Sequence, residues 1–593
     1  MKRRFNSSIA VGMLLALAAG SAQAATLGTG MTKEPAIQAP NSAWAQTATR
    51  AEIPTNATFI GPLNPATPLR VVLGLQLPNP KALNSLVKAQ NTPGNALFQT
   101  HLTPAQFTAT YSPTSVQVAQ LTSYLSSKGF TSIAVEPNNL LVSATAPAAS
   151  VSAAFHTTLA LFSQGGRYVY SNTTPAFVPA ALGNTVLAVI GLNSSNQMAI
   201  QLQKCKVNLV TCVSFYDADT IQHAYDVGTV PAATNTTLAV MAEGNVSQVL
   251  TDLRFAESHS KPTLPQVPYS VVQVGLRSPD TAGLFEWDLD TQSSSGIAQN
   301  LKHLYVYATT SLTDSDIALE YNKWVTQNVA QIGNSSFGEC EIYAYLDGSM
   351  LVDDEEMLEG AAQGQTMFVS TGDTGAGQCS VGNPNGAPAG VPFAEYPSVS
   401  PYVNATGGTD LFHKADGSYN GETAWESGGG GISQFEYSPY WECGVQPQSQ
   451  PATGCALGVF SFRGEPDVAM DASLETGYLV YQGGSRFITG GTSLSSPLAA
   501  GAFARMQTAD NNGLGFGTPK FYKIYDPTLF VPDTSTFVPT SPNHGFHDIF
   551  VGQSGALGPL GSAKPDWDYV TGLGSFDIGK ITPILKRLCP KTL

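Results

Sequence analysis

The stretch GGTSLSSP at residues 490–497, with the helix-forming run LAAGAFARM behind it at residues 498–506, decides how the rest of the chain is interpreted. Glycines let the backbone turn tightly before a helix, and the first turn of a helix offers unpaired N–H groups. The hydroxyl of Ser493 is therefore predicted to lie in a field that favours developing negative charge. A serine that merely caps the helix fits the same local pattern, so its partners elsewhere in the chain matter.

A second pattern places two carboxylates on one helix face. In LFEWDLDT, residues 284–291, Glu286 and Asp290 stand four positions apart, one above the other. Two carboxyl groups side by side cannot both ionise freely, so they can share a proton. The large apolar residues between them indicate a partly buried segment, and a solvated acidic face is the alternative. Asp288 is expected to point elsewhere and to be structural.

A third carboxylate, Asp373, stands in STGDTGA, residues 370–376, directly after a predicted strand. The carboxyl ends of such strands are where α/β sheets usually bind ligands. Taken alone, DTGA resembles half of a pepsin-type site. That interpretation requires a second matching Asp-Thr/Ser-Gly on a β-rich chain, and the sequence has none in the right order.

The pattern GTSxxxP around Ser493 resembles the nucleophile segment of subtilisin-fold serine peptidases. Such enzymes use a histidine base in an HGT-type segment, and none of the eight histidines has that context. Together with the Glu/Asp pair and the Asp373 segment, the pattern resembles the sedolisin family of serine-carboxyl peptidases (kumamolisin-like). The resemblance implies that Ser493 is the nucleophile, Glu286 its general base, Asp290 the support of Glu286, and Asp373 the donor to the oxyanion.

The resemblance to this family also implies one Ca²⁺ ion near the C-terminus. The carboxylates of Asp548 and Asp568 would bind it together with the carbonyls of Ile549, Lys564 and Asp566, an all-oxygen set suited to calcium. The family usually has glycine at the positions of Lys564 and Asp566. Carbonyl ligands survive that change, and a bare acidic turn is the alternative.

Alternating strands and helices predict the fold class: α/β, with a doubly wound, mostly parallel sheet preceded by a smaller α+β unit. The family resemblance implies that the sheet is subtilisin-like and that the smaller unit, with LTPAQF at residues 102–107, is an activation prodomain. The predicted domains are a signal peptide (1–24), a loose leader (25–66), an inhibitory activation prodomain (67–204) and a peptidase domain (205–593) with the calcium site. Predicted strands are 69–77, 140–144, 237–242, 271–276, 304–308 and 367–370, predicted helices are 80–90, 115–128, 284–297, 314–329 and 350–364, and residues 375–441 are predicted to form long surface loops.

Charge is sparse and unevenly distributed along the chain. Only 12% of residues are charged, and the net charge is −15. Residues 1–204 hold 11 Lys and Arg against 3 Asp and Glu, a net charge of +8, whereas the rest holds 17 against 40, a net charge of −23. The acidic total argues against nucleic acid as a partner. The split predicts two units that attract each other at neutral pH and separate as acid protonates the carboxylates.

The N-terminus predicts export. A cleaved signal peptide is indicated by basic residues 2–4, an apolar run at residues 9–19 and the small-residue motif AQA at residues 22–24, which predicts a secreted, extracellular protein. A retained N-terminal anchor is the alternative. No other segment is long and apolar enough to predict a membrane span. Seven cysteines then predict disulfides, with Cys205/Cys212 and Cys443/Cys455 the easiest pairs to imagine.

The resemblance to the sedolisin family, together with these features, implies an acid-active serine endopeptidase that is made as a zymogen. It would cleave proteins or peptides through an acyl-enzyme, and its own prodomain would inhibit it until self-cleavage within residues 193–215. A monomer is expected. Three alternatives stay open: a tripeptidyl-peptidase, an inactive calcium-binding secreted module on a peptidase scaffold, and a neutral serine hydrolase in which a histidine approaches Ser493 in space.

Overall fold

A computed structural model gives the fold of most of the chain. The predicted signal peptide and the first part of the predicted leader lie outside the residues that it describes. No helix in the described part is long and apolar enough to cross a membrane. The described residues are 41–200, 202–206, 215–377, 393–443, 445–446, 461–525, 545–555 and 557–588.

The N-terminal unit is a compact α+β domain, as predicted. Its four-stranded antiparallel sheet has the order Thr131–Val135, Leu141–Pro147, Pro68–Leu75, Val186–Ile190. Helix Ser115–Ser127 begins with a capping box between Thr114 and Gln117. The other strands are Trp44–Gln46, Thr58–Pro62, Leu159–Gln164, Arg167–Asn172 and Phe177–Pro179, and the other helices are Pro80–Gln90, Pro104–Thr110 and Ala148–Ala154.

The packed part of this unit starts earlier than predicted. Strand Trp44–Gln46 pairs with Phe177–Pro179, and strand Thr58–Pro62 pairs with Leu159–Gln164. The carboxylate of Glu52, between these strands, is buried and accepts hydrogen bonds from Asn193 and Asn196. The prediction of a loose leader over residues 25–66 is therefore wrong for its described part. The pairing partners lie 98 or more positions away along the chain, so local sequence could not reveal them.

The C-terminal unit is built on a mostly parallel, twisted sheet with helices on both sides, which confirms the predicted fold class. The seven strands in spatial order are Tyr269–Gln273, His303–Thr309, Thr237–Glu243, Ile332–Ser335, Thr366–Ser370, Asn404–His413 and Tyr419–Ala424, and only the last pair is antiparallel. An eighth strand, Val468–Asp471, pairs in parallel with Asn404–His413.

Two helices of this unit carry the predicted catalytic residues. We call Leu284–Ala298 the carboxylate helix and Thr492–Ala509 the nucleophile helix. The remaining helices are Ala218–Ala224, Val249–His259, Asp314–Gln327, Glu341–Asp347, Ser349–Ala362, Thr518–Tyr525 and Ile578–Leu588. The remaining strands are Ala199–Ile200, Gln203–Lys206, Phe337–Cys340, Glu395–Tyr396, Gly431–Tyr437, Phe462–Glu465, Tyr478–Gln482, Ser485–Gly490, Phe546–His547 and Ser575–Phe576.

The prediction of surface loops over residues 375–441 is wrong for much of their described part. Asn404–His413 is a central strand of the main sheet, and most of its residues are buried. Its glycines serve close packing. A Cβ on Gly408 would lie 2.7 Å from the Cβ of Ala472 and 2.8 Å from the ring of Trp425. A glycine-rich sequence fits such crowding as well as it fits a loop, and its composition cannot separate the two.

The two units share an extensive contact centred on helix Ser349–Ala362, which we call the interface helix. A Cβ on Gly74 of the N-terminal unit would lie 2.3 Å from a methyl group of Val352, so the surfaces meet closely. The backbone N–H of Leu77 donates to both carboxylate oxygens of Glu355, at 3.0 and 3.1 Å. The charge split is also visible in this contact, where Arg70 pairs with Asp316 at 2.5 Å.

The expectation that acid loosens this contact is wrong for its buried carboxyl groups. Burial raises the pKa of Glu355, Glu359 and Glu52 to about 8 in each case. Glu359 accepts a hydrogen bond from Asn138 of the N-terminal unit at 2.7 Å. Because docking removes these groups from water, it favours their protonated forms, and acid stabilises the docked state at these positions.

Three cysteines in the described part, Cys205, Cys340 and Cys443, are disulfide-bonded. Cys212 and Cys455, which the spacing suggests as partners of the first and last, lie outside the described residues. The predicted pairing therefore stays a prediction. Disulfides are typical of proteins that fold in an oxidising compartment.

Candidate active site

Ser493 lies in the first turn of the nucleophile helix, directly after a tight backbone turn. Gly491 precedes this helix with a φ of 113°, a conformation that residues with a side chain rarely adopt. The side chain of Ser493 is fully buried, and its hydroxyl donates to the backbone carbonyl of Ser336 at 3.3 Å. Its own N–H belongs to the first turn, where backbone donors have no partner within the helix. The residue therefore combines a hydroxyl with a free backbone donor.

Glu286 and Asp290 lie on the carboxylate helix, and both are fully buried. The two catalytic helices pack tightly. A Cβ on Gly501 of the nucleophile helix would lie 2.4 Å from the carbonyl oxygen of Ser294 on the carboxylate helix. This close approach fixes the two helices against each other and holds the carboxylates beside Ser493.

The environment of Glu286 favours its protonated form. Burial is the largest cause of a pKa well above the ordinary value, and the neighbouring charge of Asp290 raises it further. The nearby hydroxyl of Ser493 acts in the opposite direction, and the charge of Asp373 adds to the increase. Within the described part of the chain, neither carboxylate oxygen of Glu286 has a well-formed hydrogen bond. Glu286 is thus a buried carboxyl group next to a hydroxyl, and it can accept the proton of that hydroxyl only in its ionised form.

Asp290 is held by two polar residues that the sequence analysis missed. The hydroxyl of Ser336 donates to Oδ1 of Asp290 at 2.7 Å, and the amide of Asn334 donates to Ser336 at 3.0 Å. Asn334 in turn accepts from the hydroxyl of Ser496, at 2.7 Å. Burial nevertheless raises the pKa of Asp290 well above its usual value, against the lowering effect of Ser336 and Asn334. The signal for these residues was the polar run NSS at residues 334–336, which ends the buried strand Ile332–Ser335.

Asp373 lies at the end of strand Thr366–Ser370, next to the start of the nucleophile helix. Its Oδ1 accepts from both the N–H and the hydroxyl of Thr492, at 2.8 and 3.0 Å. Its Oδ2 is shielded from solvent and has no hydrogen-bond partner among the residues described. Burial raises the pKa of Asp373 to about 6, although both hydrogen bonds from Thr492 lower it. In mild acid Asp373 is therefore a neutral carboxylic acid with an O–H to donate.

Asp288 contacts other residues than Glu286 and Asp290 do, in line with the prediction that it points elsewhere, and it lies next to Asp252. Its Oδ2 accepts from the amide of Gln482 at 3.0 Å. Burial and the neighbouring Asp252 raise the pKa of Asp288 to about 9, so the group is a protonated structural carboxyl. No hydrogen bond joins a histidine to Ser493 in the part of the chain that is described, and His544 lies outside it. The neutral-hydrolase alternative gains no support from this site.

The residues of the predicted calcium site form a hydrogen-bonded turn. The backbone N–H groups of Lys564 and Asp566 donate to the carboxylates of Asp568 and Asp548, at 2.9 and 3.2 Å. The carbonyl of Ile549 accepts from the hydroxyl of Thr571 at 3.3 Å, which ties it to the same turn. In the described residues no group of three or more His, Cys, Asp or Glu side chains is arranged to hold a metal. The donor set consists of hard oxygens and fits calcium in its chemistry.

The connector between the two units, residues 193–206, lies along both strands that flank Ser493. Strand Ala199–Ile200 of the connector pairs antiparallel with Phe337–Cys340, which begins directly after Ser336. Strand Gln203–Lys206 pairs antiparallel with Ser485–Gly490, which ends just before the nucleophile helix. The connector therefore enters along one side of the nucleophile and leaves along the other.

Comparisons with known proteins agree with this architecture. A family model described as "Pro-kumamolisin, activation domain" matches residues 55–195, and one described as "Subtilase family" matches residues 279–523. The chain is 34% identical over 568 residues to xanthomonalisin of Xanthomonas sp. (strain T-22), covering 87% of this chain and 65% of that protein. It is also 34% identical over 539 residues to sedolisin of Pseudomonas sp. (strain 101), covering 87% of each.

The solved structures include a similar fold. Pseudomonas sedolisin, a serine-carboxyl proteinase solved in complex with two molecules of pseudo-iodotyrostatin, superposes with a TM-score of 0.55 at 33% identity. The match covers 63% of this chain and 98% of that structure. The carboxylate and nucleophile helices, the main sheet and an N-terminal activation unit thus occur together in this chain as the sequence predicted.

Proposed function

Because this chain belongs to the sedolisin family of serine-carboxyl peptidases, we propose that it is an acid-active endopeptidase made as a self-processing zymogen. The observation that supports the proposal most directly is that the group beside the Ser493 hydroxyl is a carboxyl group. A buried carboxyl group, Glu286, lies beside the Ser493 hydroxyl, at the place where a histidine would limit activity to neutral pH. A histidine with an ordinary pKa near 6.5 is protonated in acid, whereas two carboxyl groups that share one proton still carry one negative charge and can accept a proton.

The proposed reaction is acyl transfer. Glu286 takes the proton of the Ser493 hydroxyl as its oxygen attacks the carbonyl carbon of a peptide bond. The negative charge on the tetrahedral intermediate is stabilised by the O–H of Asp373 and by the backbone N–H of Ser493. Glu286 then returns the proton to the leaving amine as the C–N bond breaks, and water hydrolyses the acyl-enzyme by the same steps.

Asp290 acts through Glu286 in this mechanism. Two neighbouring carboxyl groups that share one proton carry a single negative charge. We assign the proton to Asp290, which Ser336 positions, and the charge to Glu286 when a substrate is bound. Asp290 is a positioning residue, because its hydrogen bonds fix the pair and it does not contact the reacting atoms.

The connector favours an endopeptidase over a tripeptidyl-peptidase. An enzyme that releases tripeptides must close its cleft three residues before the cut. Here Met198, immediately before the paired strand, is buried and its N–H donates to the carbonyl of Leu312 at 2.9 Å. The chain continues from there into the N-terminal unit, where the N–H of Ser194 donates to Tyr170. This path supports a cleft that is open at both ends.

Export and calcium complete the proposal. The signal-peptide pattern and the disulfide-bonded cysteines support secretion. Asp548 and Asp568 would hold one Ca²⁺ with the carbonyls of Ile549, Lys564 and Asp566, and the ion would stabilise this turn.

We expect chelator treatment to lower the melting temperature of the wild-type protein and Ca²⁺ to restore it. An Asp568→Asn variant should not respond, and equal melting temperatures with and without chelator in the wild type would contradict the assignment.

Incubation of the full-length chain at about pH 4 tests the proposed function. The wild-type chain should shorten itself and hydrolyse an unfolded protein, whereas Ser493→Ala should do neither. Glu475→Gln removes an exposed carboxylate that has no role in the proposed mechanism and serves as the control. A Ser493→Ala protein that still shortens itself, or a wild-type chain that hydrolyses nothing at any pH, would contradict the proposal. The second result would favour an inactive binding module.

A further inference from the structure

The connector forms antiparallel strand pairs on both sides of Ser493. Ala199 lies opposite Gly338 and Ile200 lies opposite Phe337, so the connector runs towards Ser336, whose carbonyl accepts the Ser493 hydroxyl. A substrate strand bound for attack must also bring its backbone to this point. The connector therefore uses the surface that a substrate would use on the acyl side of the cut.

The second connector strand, Gln203–Lys206, also pairs with a strand that leads to Ser493. Gln203 lies opposite Gly490, three positions before Ser493, and its carbonyl accepts from the hydroxyl of Thr489 at 2.7 Å. The side chains of Ile200 and Leu202 both pack against the main hydrophobic core. The C-terminal unit therefore holds both connector strands, Ala199–Ile200 and Gln203–Lys206. Only a few peptide bonds separate these two strands.

We propose that the connector is the enzyme's first substrate, that the cut falls between Ile200 and Gln203, and that Phe285 gives the leaving side of the cleft a preference for a cationic side chain. This inference rests on the proposed function. The Ser493 oxygen would bond to the carbonyl carbon of the cut peptide while its C–N bond breaks. The new amine would take its proton from Glu286, and water would release the acyl group as a carboxylic acid.

The preference is argued from Lys204. Its ammonium group lies 4.3 Å above the centre of the Phe285 ring, within the range of a cation–π contact. Phe285 directly precedes Glu286 on the carboxylate helix and packs edge-to-face on Phe487 at 5.2 Å. The aromatic surface is therefore rigid and close to the general base. Lys204 follows the proposed cut, so the surface belongs to the leaving side of the cleft.

The position of the cut can be measured on the wild-type chain. A time course at about pH 4, followed by N-terminal sequencing and intact mass, should show that the earliest mature chain begins at Gln201, Leu202 or Gln203. Cys205 would then stay with the mature enzyme. An active enzyme whose earliest new N-terminus lies elsewhere would overturn this inference and leave the proposed function intact, whereas an inactive chain would overturn the proposed function.

Peptides test the preference for a cation. A peptide covering residues 196–208, with Cys205→Ser, is compared with versions that also carry Lys204→Arg or Lys204→Met. We expect the Lys and Arg peptides to be cut about two- to five-fold more efficiently (kcat/KM) than the Met peptide by the mature enzyme. In Phe285→Leu this ratio should fall to about one, whatever the overall activity of the variant. An unchanged ratio in Phe285→Leu, or no preference in the wild type, would overturn the assignment of Phe285.

Discussion

At the scale of single residues, Asp373 is the group whose protonation controls activity in the proposed mechanism. One of its carboxylate oxygens accepts two hydrogen bonds from Thr492, and the other is shielded and unpaired among the described residues. Only the protonated acid can donate to an oxyanion. Because burial raises the pKa of Asp373 to about 6, this donor is present in acid and lost as the pH rises through 6.

Two substitutions separate this role from a structural one. Asp373→Ala removes the donor and should lower kcat by about 10²- to 10³-fold at pH 4. Asp373→Asn keeps an acceptor for Thr492 and supplies an N–H donor that does not titrate. Its activity should therefore fall much less between pH 5 and pH 7 than that of the wild type. Steady-state kinetics across this range test the role, and parallel pH profiles for Asn and wild type would contradict it.

At the scale of elements, the contact between the two catalytic helices depends on Gly501. A side chain there would collide with the backbone of the carboxylate helix, which cannot move without displacing Glu286 and Asp290. Gly501→Ala should cost about 1–3 kcal/mol of stability and lower kcat as well. The change is checked by thermal unfolding and kinetics of the variant.

Gly360 provides the matched control, because it is also a glycine within a helix. A Cβ there would meet its nearest neighbour, a methyl group of Val325, at 3.3 Å, which requires only a small adjustment. Alanine has the higher helix propensity, so Gly360→Ala should be neutral or slightly stabilising. Equal melting temperatures for the two alanine variants would show that the contact at Gly501 is not tight.

The elements also show how far the sequence predicts the structure. Helix Pro80–Gln90 agrees with its prediction at both ends, because proline at its start and a polar cap at Asn79 are local signals. The strand Asn404–His413 was missed, because its glycines pack against neighbours that lie far away in the sequence. Ser493, Glu286, Asp290 and Asp373 could be named from motifs and family resemblance. Ser336 could not, since its role depends on how the strand and the carboxylate helix meet in space.

At the scale of the whole molecule, the contact between the activation unit and the catalytic unit is proton-linked. Glu355 faces the N–H of Leu77 and lies near Asp354, and Glu52 faces Asn196 and lies near Asp347. Their pKa values, about 8 in the folded chain, lie above the ordinary value of 4.5. A raised pKa contributes stability that is complete below 4.5 and is lost as the pH rises through 8.

The full-length Ser493→Ala protein should therefore be more stable at pH 5 than at pH 9. We expect its apparent melting temperature to fall by roughly 5 °C or more over this range. Glu355→Gln should reduce that fall, because the glutamine cannot ionise and can still accept from Leu77. Thermal scans at a series of pH values measure both effects, and a melting temperature that rises towards pH 9 would contradict the sign. If the proposed function holds, acid would enable cleavage of the connector while the docked state itself becomes more stable.

The uneven charge distribution along the chain explains only part of the contact between the two units. Arg70 and Asp316 pair across the contact, as the excess of basic residues in the first 204 positions suggested. The same contact also contains carboxyl groups whose burial raises their pKa and favours their neutral forms. Charge counts describe long-range attraction, but they cannot show which carboxylates lose their water on docking. The direction of the pH effect therefore required the structure.

The central claim is that a carboxyl base and a carboxylic acid donor replace histidine at this serine. The most direct measurement is the pH–rate profile of the mature wild-type enzyme on an unfolded protein substrate, from about pH 2 to pH 9. The account predicts an acid optimum and a loss of activity as the pH rises through about 6, where Asp373 gives up its proton. An optimum near neutral pH, or activity that persists unchanged to pH 8, would contradict it.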